Sequence, residues 1–307
     1  MSANSLGKLL HAAGRLLRSE RQLDEIKINQ GRMLAELNAQ KTSARLSDYE
    51  FKVFSQWGED GIIQFLVSSL AIRNRTFIEF GVEDFSESNC RFLLMKDYWS
   101  GFVIDGSEKN MERLQSSYFF WKYPLQCRAS FITRENAGAL LDQSGFDAQL
   151  GILSVDIDGV DYHVLSALSA WKPSILIVEY NAVFGARHTV SVPYDPVFSR
   201  TSKHHSNLYY GASLPAFLQL AGERGYALVG VNSAGSNAFF VRRELLNDRV
   251  REVPLAECFG DSTFRESRNA RGELTFLSGP ARRQAIADMP LIDVVSGQAL
   301  RVGDLTG

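Results

Sequence analysis

Short apolar runs set about one helix apart organise residues 76 to 241. Phe77-Ile78-Glu79-Phe80 breaks at Gly81, and Gly101-Phe102-Val103-Ile104 ends in Asp105-Gly106, with Ser88 to Tyr98 between them long enough for a crossover helix. This predicts a βαβ unit whose two parallel strands both end in acids. The rhythm continues with a third strand at Cys127 to Ile132, a helix at Ala137 to Asp142, and a fourth strand, Gly151 to Val155, running into Asp156-Ile157-Asp158-Gly159. Ser174 to Tyr180 is almost wholly apolar until Glu179, as expected of a parallel strand covered on both faces. Leu214 to Glu223 reads as a helix ended by Gly225, and Tyr226 to Val231 with Asn237 to Val241 as a closing hairpin around Asn232-Ser233-Ala234-Gly235-Ser236. Upstream, Ser55 to Gly61 leads into an apolar helix, Ile62 to Leu70, with acids at its positive end. The predicted fold class is α/β, a mostly parallel Rossmann-like sheet with an antiparallel last strand.

Residues 1–45 follow a different period. Leu9, Ala12, Leu16, Ser19, Leu23, Ile26, Gln30, Met33 and Leu37 alternate spacings of three and four, the seam of a short coiled coil with polar interruptions. Eight Lys or Arg against four Asp or Glu make this arm +4 while the remainder is −6, and Lys8, Arg15, Arg18 and Arg21 cluster in its first half. Three readings stay open: a homo-oligomerisation helix, a helix on an anionic membrane or another partner, and a helix packed on its own domain. Residues 46–245 form the expected α/β domain and residues 246–307 an appendage, with short helices predicted at Glu244 to Glu257 and Ala281 to Asp288.

With 307 residues, 45% hydrophobic and 22% charged, the chain can bury one large α/β core with appendages. A net charge of −2 gives no reason to expect a nucleic-acid partner. Cys90, Cys127 and Cys258 are scattered and odd in number, against a disulfide framework or a thiolate zinc site. No apolar run reaches the roughly 18 to 20 residues of a spanning helix, and the expected compartment is the cytosol.

Gly81 is the only glycine in the first βα turn, where a dinucleotide fingerprint needs three. A nucleoside without a diphosphate fits such a turn better. A carboxylate at Asp105 can accept from two ribose hydroxyls and Glu79 can face a cationic group, which points to S-adenosylmethionine rather than NAD. Glu79, Asp105, Asp156 and Glu179 all fall at strand ends, where ligands of open α/β sheets bind.

The chain resembles the FkbM-type branch of S-adenosylmethionine-dependent class I methyltransferases, through SQWGEDG (55–61), FIEFGVED (77–84), GFVIDGS (101–107), LSVDIDGVDYHVL (153–165), ILIVEYN (175–181) and YALVGVNSAGSNAFFVR (226–242). It departs from that pattern at Phe85, where such turns often carry a second glycine, and at Asp158 and Asp161, where glutamates are usual. The resemblance implies an O-methyltransferase acting on a hydroxyl of a glycan, glycolipid precursor or secondary metabolite. Glu79, Gly81, Asp84, Asp105, Gly106, Ser107 and Asp156 would surround the cofactor. The cluster Asp156, Asp158, Glu179 and Asn181 offers hard oxygen ligands suited to Mg2+ or another divalent cation. Without a metal, Asp158 or Asp161 is the expected general base or orients the acceptor. The long segment Ala182 to Tyr210 reads as a lid that can bring His204 or His205 as a base. A non-catalytic assembly module and, more weakly, a metal-dependent hydrolase are the alternatives.

Overall fold

The computed structural model describes residues 3–306, with side chains from residue 18 onward. Leu9, Ala12 and Leu16 of the arm's seam, with Lys8 and Arg15, therefore lie outside the described side chains. The arm is a single helix, α1 (Ala3–Ala39), followed by α2 (Glu59–Ser69). Then come β1 (Thr76–Phe80), α3 (Arg91–Asp97), β2 (Ser100–Asp105), α4 (Glu108–Gln115), β3 (Leu125–Ala129), α5 (Ala137–Asp142), β4 (Ile152–Val155), α6 (Asp161–Ala167) and β5 (Ile175–Glu179). Beyond these lie β6 (Val190–Ser191), α7 (Arg200–Lys203), α8 (Leu214–Glu223), β7 (Tyr226–Val231), β8 (Asn237–Arg242), α9 (Leu255–Cys258), α10 (Pro280–Ala285), β9 (Pro290–Asp293) and β10 (Ala299–Arg301).

Seven strands form one sheet in the order β3-β2-β1-β4-β5-β8-β7, and β8 alone runs against the rest. Chain order reverses between β1 and β4, so the crevice at their carboxyl ends is the topological switch point where such sheets bind ligands. Successive strand residues face opposite layers. Phe77, Val103, Ile152, Ile175 and Ile177 join a core with α1 to α4 on one face, whereas Ile78, Phe80, Ile104, Leu153, Val155 and Val178 join another with α5, α6 and α8. A strand covered on both faces cannot alternate polar and apolar residues, which is why these runs are continuously apolar.

The structure departs from expectation in three places. Helix α4 follows β2 directly, with Ser107 capping Asn110 N at 3.3 Å. Glu244 to Glu257 is not a helix, because Asn247 Oδ1 accepts from the N–H groups of Arg249 and Val250 in a turn and Pro254 bars continuation into α9. The segment Ala182 to Tyr210, expected as a lid, brings Phe198 and Arg200 to the cavity but is largely built into the fold. Its strand β6 joins β9 and β10 in a second, three-stranded sheet, and Val190, Val192, Leu208, Tyr209 and Tyr210 are buried. No helix among the described residues is long and apolar enough to cross a membrane.

Candidate active site

The turn after β1 is unusual backbone. Gly81, Glu83 and Phe85 take φ values of +73°, +48° and +65°, and only the first is a glycine. The Gly81 turn passes so close to the loop after β4 that a Cβ there would lie 1.6 Å from the Asp156 carbonyl oxygen. Phe85 holds the left-handed position that a second glycine would take without strain; its fully buried ring packs near Phe119, and Arg91 Nη1 donates to the carbonyls of Phe85 and Ser86. Asp105 steadies the turn from β2, since its Oδ2 accepts from Glu83 N at 2.9 Å while Oδ1 accepts from Ser107 N at 2.8 Å.

Glu79 is buried and accepts from Ser88 Oγ, Asn89 N and Cys90 N at 2.7, 2.8 and 3.1 Å, so it fastens the entry of α3 while lining the cavity. Burial pushes its pKa up. The loop after β4 turns at Asp158, whose φ is +54°. Asp161 shapes that loop by accepting from Ile157 N and Gly159 N at 2.7 and 3.0 Å.

These loops enclose a cavity of about 410 Å³ at the carboxyl ends of β1, β2, β4 and β5. Among the described residues seven carboxylates line it, from Glu79, Glu83, Glu87, Asp105, Asp156, Asp158 and Glu179, and Arg200 is the only lining Lys or Arg. Burial, reinforced by the charges of Asp158 and Asp161, pushes Asp156 well above the usual carboxylate range; burial with Asp156 and Asp158 does the same to Glu179. Glu179 Oε2 has no hydrogen-bond partner, nor has Oδ1 of Asn237, the residue registered opposite it on β8. Asn237 is held in place by donating to Glu59 Oε1 at 3.0 Å. That bond ties the SQWGEDG turn to the closing hairpin.

Arg200 pairs with Asp158, donates from Nε to the Asn207 carbonyl at 2.7 Å, and lies 3.9 Å over the Tyr210 ring. Ligand oxygens of Asp156, Asp158 and Glu179 fall within 4.8 Å of one another. Three carboxylates at that spacing fit a hard divalent cation in donor type, once Asp158 is released by Arg200.

Of the expected site residues, Glu79, Gly81, Asp105, Gly106, Asp156, Asp158 and Glu179 line this cavity. The others do not. Asn181 lies outside the lining, where Nδ2 donates to the Leu208 and Tyr210 carbonyls and Oδ1 accepts from Val183 N. Asp161 is fully buried outside the lining, where it shapes its loop through its two backbone bonds. His204 and His205 lie side by side, their ring centroids 4.3 Å apart at a tilt of 32°, outside the cavity lining. Asp84 and Ser107 also stay outside, Asp84 turned to Ser86 N and Ser107 used as a helix cap. Sequence reasoning assigned no role to Glu83, Asn237 or Phe131 and included Arg200 and Phe198 only within the expected lid; all five also line the cavity. Asn237 was open to detection, since it opens the strand that pairs with Glu179.

The sheet order and the acid-lined crevice define a Rossmann-like class I methyltransferase fold. No family model and no curated protein matches the chain. Among solved structures it is similar to the N-terminal domain of EvdMO1 with SAH bound, at 9% identity over 57% of this chain and 74% of that one, with a TM-score of 0.34. It is also similar to an O-methyltransferase family protein from Burkholderia thailandensis (12% identity, 60% of this chain and 57% of that one, TM-score 0.36). An S-adenosylmethionine-dependent methyltransferase from Clostridium acetobutylicum is a third (9%, 59% and 88%, TM-score 0.37). The chain spans little more than half of the Burkholderia protein. At these levels no residue correspondence is drawn, and the fold rests on the strand order itself.

Proposed function

We propose that this chain is an S-adenosylmethionine-dependent O-methyltransferase of the FkbM type, acting on a hydroxyl of a glycan, glycolipid precursor or secondary metabolite. The observation that carries this is the charge of the switch-point cavity, with seven carboxylates and one arginine. Such a lining suits a nucleoside bearing a sulfonium and an ammonium group and opposes a dinucleotide diphosphate. Asp105 would accept from the ribose hydroxyls, and Phe131 with Ile132 gives an apolar wall for the base. Gly106 leaves that edge open, since a Cβ there would meet only Phe131, at 3.6 Å.

The cofactor supplies an electrophilic methyl group on sulfur. Because transfer discharges a cation in line, the chain contributes alignment and a proton acceptor rather than a covalent nucleophile. The Asp156–Glu179 pair takes the hydroxyl proton, being raised in pKa, aimed at the cavity and left with an unpartnered oxygen. Arg200 holds Asp158 at the rim, where both can orient the acceptor. Mg2+ or another hard divalent ion would take Asp156, Asp158 and Glu179 as ligands and polarise the acceptor oxygen. Turnover lost to a chelator and restored by Mg2+ assigns that role; turnover kept assigns the proton transfer to carboxylates alone. A hydrolase is the weaker reading, because no histidine lines the cavity and the Ser88 hydroxyl is committed to Glu79.

Calorimetric titration with S-adenosylhomocysteine is the test. One site per chain is expected, weakened at least about tenfold in Asp105→Ala. No heat of binding to well-folded protein would overturn the proposal, and binding without turnover on any hydroxyl acceptor would favour the non-catalytic module.

A further inference from the structure

Helix α1 has two working faces. One is docked: Asp24, Ile28 and Asn38 are buried against the domain, and Gly31 lies so near that a Cβ would come within 2.6 Å of Phe92 and Val53. Asp24 pairs with Arg91 at 2.6 Å and Asn38 Nδ2 donates to the Tyr49 carbonyl at 2.6 Å. The other face lies roughly 140° around the helix at 3.6 residues per turn. It exposes Leu23, Ile26, Met33 and Leu37 by 57%, 63%, 60% and 60%.

We infer that this second face is the seam of a parallel two-stranded coiled coil with a second copy of the chain. The exposed residues hold strict a and d positions, and the same register runs from residue 9 to residue 37 without a slip. A seam of two positions in seven is narrower than the apolar face by which a helix lies on a membrane. Its g border is polar or charged (Gln22, Asn29 and Glu36), and its e border carries Lys27 beside the half-buried Leu34. In parallel register, Gln30 at an a position meets the partner's Gln30, so the one long polar seam residue faces its own kind. Among the described side chains, the g–e pairs of this register, Gln22 with Lys27 and Asn29 with Leu34, bring no like charges together. Docking and pairing use different faces, so the two domains stay fixed to the stem they share.

Sedimentation equilibrium of the full chain at about 10 µM should give twice the 34.3 kDa chain mass. Ile26→Glu with Met33→Glu should weaken association at least about 100-fold while the monomer keeps the far-UV circular dichroism of the wild type, whereas Gln30→Leu should tighten it. A wild type that stays monomeric at about 100 µM overturns the inference, as does a dimer that ignores the paired glutamates or a Gln30→Leu chain no tighter than wild type. Monomeric protein that floats with phosphatidylserine vesicles, and ceases to do so in the glutamate variant, would assign the face to lipid instead. None of these readouts depends on cofactor binding.

Discussion

Asp24→Ala removes the carboxylate that Arg91 donates to across 2.6 Å, leaving the guanidinium where water cannot reach it. Arg91 is 5% exposed and sits between the Phe54 and Phe119 rings at 4.1 and 4.5 Å, and Tyr118 OH donates to the same Asp24 oxygen at 2.7 Å. An exposed ion pair is worth at most about 1 kcal/mol, but stranding one buried partner typically costs about 3–5 kcal/mol. For a chain of this size that lowers the melting temperature by about 6–20 °C, at roughly 2–4 °C per kcal/mol. Urea unfolding of Asp24→Ala, Arg91→Met and the double variant closes a cycle, and a coupling energy of at least about 2 kcal/mol is expected because the double variant buries no unpaired charge. Asp24→Ala costing less than about 1 kcal/mol would refute the reasoning, since the arm would then not be riveted through Arg91.

Gly81→Ala should destabilise by about 2–5 kcal/mol, from left-handed backbone and a clash with the Asp156 carbonyl, read by urea unfolding. Gly106→Ala meets only Phe131 and should stay within about 0.5 kcal/mol of wild type, so any loss of S-adenosylhomocysteine affinity there reports the space the ligand needs. The acidic limb of kcat/KM should lie above the ordinary carboxylate range near 4, because the base must lose its proton and burial with neighbouring charges raises the pKa of Asp156 and Glu179. Asp158→Asn removes one of those charges, so the limb should move to lower pH; an unmoved or rising limb in the pH–rate profile counts against the pair as the base.

Most of the sheet was legible because its strands are covered on both faces, which writes continuous apolar runs into the chain. The crossover helices between them leave few topologies. The second sheet was not legible, since β6 is two residues long and its partner β9 lies about a hundred positions away. Side-chain destinations were least readable. Asn181 and Glu179 look equivalent as oxygen ligands two residues apart, yet β5 ends at Glu179, which lines the cavity, and Asn181 lies past the strand as the cap of the turn Ala182–Phe184, donating to the Leu208 and Tyr210 carbonyls. Arg200 shows the same limit, because only the fold of residues 182–210 brings it to Asp158.

The arm and the site are physically connected, which motif reading alone does not reveal. Asp24 holds Arg91, Arg91 holds the Phe85 and Ser86 carbonyls, and that turn carries Glu83, whose N–H is fixed by Asp105. A chain of six residues thus runs from the docked face of α1 to the acid proposed for the ribose. Strain at Glu83 and Phe85 persists only while both ends hold it. Loosening the arm should therefore weaken S-adenosylhomocysteine binding before it unfolds the sheet, and Arg91→Met, which removes the bonds to the turn itself, should do so more than Asp24→Ala. The opposite order in calorimetry would mean that the turn is held from the Asp105 side alone.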